Sequence, residues 1–274
     1  MTMTLDGPLA LIGAGNMGGA MLAGWLSRGL DPKLVYVQDP GPPPAIAALL
    51  NQHQIPVHSV LPTNMPEPAV LLVAVKPQVM EAVFPAAAKR AGSSTVVLSV
   101  AAGRTIASFA KHLPDATAII RSIPNTPAAV GRGITVCCAN KHVTSAQRHL
   151  ASDLLSAVGQ VGWVEDETLI DAATAVSGSG PAYVFLLAEC LAQAGVAAGL
   201  DPKLSRQIAD ATVSGAGELM HRSGENPAVL RRNVTSPNGT TAAALDVLMA
   251  PGAMQELLTK AVAAATKRSR ELSA

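Results

Sequence analysis

The greatest concentration of side chains suited to binding chemistry lies late in the chain, in Val234–Thr241, which combines hydroxyl residues with a proline and a glycine. It separates two segments whose apolar residues recur at helical spacing, 227–232 and 242–249. Polar turn residues between two helical patterns predict a loop that leads into a helix. Free N–H groups at a helix N-terminus, together with nearby hydroxyls, favour a bound carboxylate or phosphate. An ordinary Ser/Thr helix cap is the alternative, and this stretch alone leaves both open.

A second stretch with chemical meaning stands near the N-terminus. Gly13-Ala14-Gly15-Asn16-Met17-Gly18 has the spacing G-x-G-x-x-G, follows the apolar run 8–12 and precedes the helical stretch 19–27. Between a strand and a helix, such glycines allow a tight turn, a close approach of a pyrophosphate and close packing of the helix. The sequence therefore predicts a dinucleotide site here.

An acidic residue ends the next predicted strand, 34–39. Asp39 lies 26 positions after Gly13 in the chain. A carboxylate at this place accepts hydrogen bonds from ribose hydroxyls and repels a 2′-phosphate. The following residues, 40–44, include no Lys or Arg that could bind such a phosphate. NADH is therefore expected to be preferred over NADPH; the alternative for Asp39 is a turn-initiating residue before a proline.

The uninterrupted apolar run 69–75 is typical of a parallel strand covered on both faces. Lys76 follows it, at the strand end that borders the ligand crevice of a doubly wound sheet, where the nicotinamide half could lie. A solvated lysine is the alternative. The next predicted strand, 95–100, leads into Ala101 and Ala102 at the same edge.

A further predicted strand, 116–121, is followed by the loop 122–127, which two prolines stiffen. Asn125 in this loop could place an amide in the crevice, although an ordinary turn residue is equally consistent with the pattern.

Strand and helix patterns alternate as far as residue 164, which predicts one open, largely parallel sheet. From 165 onward only helical spacing recurs, interrupted by Gly, Pro and Ser clusters such as Ser177–Pro181. We therefore expect an α/β Rossmann domain with a doubly wound, mostly parallel sheet at 1–164 and an all-α domain at 165–274. The break at Ser177 resembles the one at 236–239 in chemistry, and the two could meet in space.

Composition excludes several classes of function. The formal net charge is +1 and no long basic run occurs, so nucleic acid is not expected as a partner. Charged residues make up only 14%, which points to a large subunit interface. The apolar stretch 182–200 contains Glu189 and Gln193, so we expect a buried helix of a soluble protein and no membrane span. Three cysteines and no secretory pattern at the N-terminus predict a cytoplasmic protein without a disulfide framework or metal site.

Taken together, these motifs resemble those of the Δ1-pyrroline-5-carboxylate reductases. The similarity runs nearly end to end, and its most specific part is 234–248, which resembles the family's Ser-Pro-Gly-Gly-Thr-Thr loop entering a helix. Asn238 replaces the first glycine of that loop. Because Asn tolerates left-handed backbone conformations, we expect the loop geometry to survive. The other matching segments are 12–18, 74–77, 99–103, 121–127 and 176–184.

The resemblance implies an NADPH- or NADH-dependent reduction of a cyclic imine carboxylate to L-proline. It also implies a helical domain that forms a homodimer, and in many members rings of five dimers, a decamer. Thr241 would hydrogen-bond the ring nitrogen and serve as the catalytic residue. Combined with the motifs above, the expected cofactor residues are Ile12, Gly13, Ala14, Gly15, Asn16, Met17, Gly18, Asp39, Ala74, Val75, Lys76, Pro77, Ala101, Ala102 and Asn125. The expected substrate residues are Ser177, Ser236, Asn238, Gly239, Thr240 and Thr241.

Three other functions share parts of this pattern. A β-hydroxyacid dehydrogenase would need a lysine early in the helical domain, and this chain has none between Lys141 and Lys203. A reductase of a related cyclic imine would share the carboxylate anchor, so it stays open. A non-catalytic nucleotide-binding regulator is disfavoured by the intact dinucleotide turn and hydroxyl-rich loop.

Overall fold

The computed structural model describes residues 3–273. Its centre is an eight-stranded sheet with the strand order β3-β2-β1-β4-β5-β6-β7-β8. Every neighbouring pair is parallel except β6 and β7. The strands are β1 (Leu9–Ile12), β2 (Val35–Gln38), β3 (Val57–His58), β4 (Val70–Val73), β5 (Val96–Ser99), β6 (Ala118–Pro124), β7 (Gly133–Ala139) and β8 (Gly159–Trp163).

The helices alternate with the strands in the first part of the chain and follow one another in the second. Thr174–Gly178 forms a π-helical turn. The α-helices are α1 (Asn16–Ser27), α2 (Pro44–Gln52), α3 (Met80–Ala88), α4 (Ile106–Ala110), α5 (Ser145–Leu155), α6 (Leu169–Ala173), α7 (Gly180–Ala197), α8 (Pro202–Ser223), α9 (Pro227–Asn233), α10 (Thr240–Leu248) and α11 (Met254–Ser273).

Helices cover both faces of the sheet. Alternate residues of each strand point to opposite faces, so each strand contributes side chains to both layers of the core. In β1, Leu9 and Leu11 belong to the cluster that includes Trp25 of α1, whereas Ala10 and Ile12 belong to the cluster that includes Phe84 of α3. Both clusters are buried. The predicted doubly wound Rossmann architecture is therefore confirmed.

The described chain forms two compact units. One runs from the N-terminus to Gly178 and includes the C-terminal residues from Thr266; the other spans Ser179–Ala265. The division at residues 164 and 165 that the change of pattern predicts stays a prediction.

The helical unit is organised around the pair α7 and α8. Asp201 caps α8 by accepting hydrogen bonds from the N–H groups of Lys203 and Leu204, at 3.0 and 3.1 Å. Ser205 Oγ donates to the carbonyl of Ala192 at 2.6 Å, and a Cβ on Gly195 would lie 2.1 Å from this Ser205 hydroxyl oxygen. Small residues therefore allow the two helices to approach closely.

Three local expectations were wrong. Helix α7 holds no buried residue, so the apolar stretch is not a core helix of this chain. Ser122–Pro124 belongs to β6 and not to a loop, because the strand continues to pair with β7. The expected break at Ser177–Pro181 is a π-helical turn that leads into α7. The stretch Leu169–Ala197 is long and apolar enough to cross a membrane by length and composition alone, a test that helices of soluble proteins also pass.

Candidate active site

The predicted cofactor residues meet at one edge of the sheet. Strands β1, β2, β4, β5 and β6 are parallel, so their carboxyl ends lie on the same side. The backbone N–H of Gly13 donates to Gln38 at 2.8 Å, that of Ala74 to Ile12 at 2.8 Å, and that of Val100 to Val73 at 3.0 Å. The structure thus brings the glycine turn together with the residues after β2, β4 and β5.

Each glycine of the turn meets a different structural requirement. Gly13 has φ +92°, a conformation that side chains disfavour, and a Cβ there would lie 3.0 Å from the carbonyl of Ala74. A Cβ on Gly18 would lie 2.1 Å from the carbonyl oxygen of Gly13. Beyond Gly15 itself and its two chain neighbours, no atom of the described residues lies within 4 Å of a Cβ built on Gly15, so its backbone is open to a ligand. Among the described residues 3–273, no side chain caps α1, and its first turn carries no acidic residue.

Asp39 lies between the turn and the loop after β2. Its Oδ2 accepts a hydrogen bond from the N–H of Ala14 at 2.7 Å, and its Oδ1 accepts one from Gly41 at 2.8 Å. The hydrogen bond from Gly41 corresponds to the turn-forming role that the sequence left open for Asp39. Each carboxylate oxygen has two lone pairs, so acceptor capacity for ribose hydroxyls remains.

Residues after β4 and β5 line a common cavity. Pro77 and Ala102 border a space of about 740 Å³ that Arg104 and His112 also line. Arg104 is held by Glu81, with 2.7 Å between Nη1 and Oε1. Lys76 is exposed next to this cavity's Pro77 lining.

Asn125 has both ends of its amide engaged within the protein. Its Nδ2 donates to the carbonyl of Ser177 at 3.1 Å, and its Oδ1 accepts from the N–H of Ile134 at 2.9 Å. Ser177 lies in the π-helical turn, where its hydroxyl donates to Ala173 at 2.8 Å. Two residues predicted for different ligands are therefore in direct contact.

The loop at 234–241 leads into α10, as the sequence predicts. Asn238 has φ +59°, which confirms the expectation that Asn supports the left-handed conformation here. Gly239 precedes the helix in an extended conformation, and no side chain in the described part of the chain caps α10. A Cβ on Gly239 would lie 3.1 Å from the carbonyl of Ser236, so the turn is tight. Asn238 and Thr240 are exposed and Thr241 is half-buried.

Sequence reasoning missed an ion pair of a buried arginine that connects the sheet to the segment just before α6. Arg121 Nη1 lies 2.9 Å from Glu167 Oε1, and the arginine side chain is 3% exposed. The same Glu167 oxygen accepts the N–H of Ile106, at the start of α4, at 2.8 Å. An arginine at the end of an otherwise apolar strand was the signal that could have found it, because a buried charge needs a partner.

The adjacent cysteines belong to the core. Cys137 and Cys138 are buried on β7, and burial raises the pKa of the Cys137 thiol to about 12. Such a thiol stays protonated at neutral pH, which excludes a nucleophilic role for it.

Comparisons with known proteins match both parts of the chain. Residues 167–272 match the family model for pyrroline-5-carboxylate reductase dimerisation, and residues 8–103 match the model described as NADP oxidoreductase coenzyme F420-dependent. The pyrroline-5-carboxylate reductase of Pseudomonas aeruginosa is 39% identical over 265 residues, which cover 97% of this chain and 96% of that protein.

The chain belongs to the pyrroline-5-carboxylate reductase family.

Solved structures of the family have the same fold. The Coxiella burnetii pyrroline-5-carboxylate reductase superposes with a TM-score of 0.90 at 33% identity and covers 98% of this chain and 100% of its own. The Plasmodium falciparum pyrroline carboxylate reductase, with NADP bound, has a TM-score of 0.78 at 27% identity, and the coverages are 98% and 99%. This chain is accordingly an NAD(P)-dependent oxidoreductase of that family. The contacts of individual residues with cofactor and substrate stay predictions.

Proposed function

We propose that this protein reduces 1-pyrroline-5-carboxylate to L-proline with NAD(P)H, the last step of proline biosynthesis. The observation that carries the proposal is the uncapped N-terminus of α10, preceded by a loop with several hydroxyls, in a chain whose other unit has an open dinucleotide turn. The names of the family's characterised members point to the same substrate.

The substrate carboxylate would bind at the start of α10. The first intrahelical bond there runs from the N–H of Ala243 to Gly239, so the N–H groups of Thr240 and Thr241 are available to an anion. The hydroxyl residues Ser236 and Thr240 lie within a few positions of these N–H groups in the sequence. The positive end of the helix dipole adds a favourable field for a negative group.

The glycine turn fits a dinucleotide. The open space at Gly15 lets a pyrophosphate approach the backbone, and the uncapped first turn of α1 offers N–H donors to it. Val75, Lys76 and Pro77 would hold the nicotinamide half together with Ala101 and Ala102. Asp39 supports a preference for NADH, because its carboxylate would repel a 2′-phosphate.

Once bound, the nicotinamide supplies a hydride for the imine carbon of the substrate ring, C5. The carboxylate anchor orients the ring, which replaces a bimolecular encounter with a positioned one. Thr241 would hydrogen-bond the ring nitrogen. A threonine hydroxyl is a weak acid, so its role would be to position the ring or to relay a proton through water to the ring nitrogen. Alternatively, the substrate binds already protonated, as an iminium, and needs no proton from the protein. The loop at 236–241 contains no His, Asp or Glu.

The helical unit would complete its core in a homodimer, which could assemble further into a decamer. Phe185, Leu186 and Val247 are 62, 57 and 71% exposed. Burying one such side chain fully contributes roughly 1.5–3 kcal/mol, so a second copy would stabilise this unit strongly. The same pairing accounts for the exposed apolar helix α7 in a soluble, cytoplasmic enzyme.

The test is a rate assay on 1-pyrroline-5-carboxylate with NADH and NADPH in parallel. Wild type should turn over, with NADH giving the higher kcat/KM. Thr241→Ala should lower kcat at least about tenfold with little change in cofactor affinity. Thr259→Ala is the matched control, because Thr259 lies on α11, where its hydroxyl donates to the backbone carbonyl of Gln255 at 2.8 Å and accepts from Gln255 Nε2 at 3.3 Å. Absence of turnover by wild type would refute the proposed activity. Normal turnover by the Thr241→Ala variant would refute the proposed role of Thr241.

A further inference from the structure

The backbone immediately before α7 lacks one of its hydrogen-bond donors. In a continuing α-helix the carbonyl of Ser177 would accept from the N–H of residue 181, which is a proline and has none. The N–H of Ala182, the donor for a π-helical bond, goes to Ser179 instead, at 3.0 Å. Within the described helical segment, the Ser177 carbonyl therefore receives a hydrogen bond from neither residue 181 nor residue 182.

A side chain from the segment directly after β6 supplies the missing donor. Asn125 Nδ2 donates to the Ser177 carbonyl at 3.1 Å across 52 residues of chain. The orientation of the amide is fixed by its other end, since the N–H of Ile134 can donate only to the amide oxygen. Pro124 and Pro127 restrict the backbone around this amide.

We propose that Asn125 is a positioning residue that replaces the absent N–H of Pro181 and thereby fixes the π-helical turn carrying Ser177. This deepens the proposed function and rests on it, because Ser177 is one of the residues proposed to bind the substrate. The turn is also the last part of the first unit before the chain enters the second. π-Helical turns recur at functional sites, where an irregular backbone needs such external support. Asn125 therefore acts on the substrate through Ser177 and not by touching the cofactor.

The first experiment compares Asn125→Asp with Asn140→Asp. Both substitutions keep the acceptor oxygen and lose the N–H donor. Asn140 is a close structural match: its Oδ1 accepts from Ile119 at 3.2 Å and its Nδ2 donates to Thr117 at 2.9 Å, with no predicted site residue involved. We expect Asn125→Asp to raise KM for 1-pyrroline-5-carboxylate about tenfold while KM for NADH changes less than about twofold. Asn140→Asp should change only the melting temperature.

A second variant tests the donor replacement itself. Pro181→Ala restores an N–H at residue 181, so the loss caused by Asn125→Asp should be smaller in the Pro181→Ala background than in wild type. Pro181→Ala alone should stay within about twofold of wild type in KM, because proline and alanine are both tolerated in a first helical turn.

Hydrogen exchange gives a readout that does not need activity. Amides of the segment 174–180 should exchange faster in Asn125→Asp than in Asn140→Asp. If wild type fails to reduce the substrate but this exchange difference is found, the proposed function fails and the positioning role stands. The positioning role is overturned if Asn125→Asp weakens NADH binding more than substrate binding, if both Asp variants behave alike, or if Pro181→Ala gives no relief.

Discussion

The N–H of Ala14 in the glycine turn donates a hydrogen bond to Oδ2 of Asp39 at the end of β2, with 2.7 Å between the two atoms. This contact joins the proposed pyrophosphate-binding turn to the residue proposed to read the adenosine ribose. One carboxylate therefore braces the turn and, in the proposed site, would set the charge that a 2′-phosphate meets.

Asp39→Asn removes that charge and leaves an amide that can satisfy only one of the two N–H groups as acceptor. We expect the ratio of kcat/KM for NADPH to that for NADH to rise about tenfold, because a unit repulsion of about 1 kcal/mol or more disappears. Asp31→Asn is the control, since Asp31 caps a neighbouring turn through Lys33 at 3.0 Å. An unchanged ratio would contradict the specificity role of Asp39.

Alanine substitutions at Gly15 and Gly18 are expected to have opposite effects on stability and cofactor affinity. Gly15→Ala places a methyl in open space, so the melting temperature should hold while cofactor affinity falls, because the methyl occupies the approach of the pyrophosphate. Gly18→Ala places a methyl 2.1 Å from the oxygen of Gly13, which must shift, so stability should fall. Thermal melts and NADH titrations separate the two effects. A Gly15 variant that binds NADH normally would argue against a pyrophosphate at this position.

The left-handed backbone conformation at position 238 restricts which residue types fit there. Asn238→Gly should keep substrate KM near wild type, whereas Asn238→Val should raise it about tenfold, because a left-handed conformation costs a β-branched residue roughly 1–2 kcal/mol. Gln54 also has positive φ, 55°, so Gln54→Gly and Gln54→Val provide a control pair outside the site. If Asn238→Gly is as impaired as the valine variant, the Asn side chain itself contributes to substrate binding.

Glu167→Ala should lower the free energy of unfolding by about 3 kcal/mol, because it leaves the buried guanidinium of Arg121 without its partner. It also removes the acceptor for the N–H of Ile106. Glu165→Ala is the matched control: its pair with Arg148 has a similar distance, 2.8 Å, but the glutamate is 84% exposed, so the loss should be much smaller than for Glu167→Ala. Urea unfolding measures both, and equal losses would show that burial does not govern the Arg121 pair.

Much of the fold follows from local sequence. Apolar runs such as 69–75 predict buried parallel strands because a strand covered on both faces excludes polar side chains, and β4 lies there. Likewise, the hydroxyl-rich loop and Asn238 predict a turn into a helix because both depend on the conformational preferences of a few adjacent residues. The edge strand β3 escaped prediction because its two residues are too few for a period.

The sequence by itself thus determined the Rossmann sheet, the glycine turn and the entry to α10. Only the tertiary structure decided that Asp39 braces Ala14, that Arg121 pairs with Glu167 and that the Ser177 turn continues into α7 where a break was expected. The physical reason is range: propensity and periodicity act over a few residues, whereas the donor that satisfies the Ser177 carbonyl comes from Asn125, 52 positions away. Packing chooses such partners, because buried polar groups must find one wherever the fold supplies it.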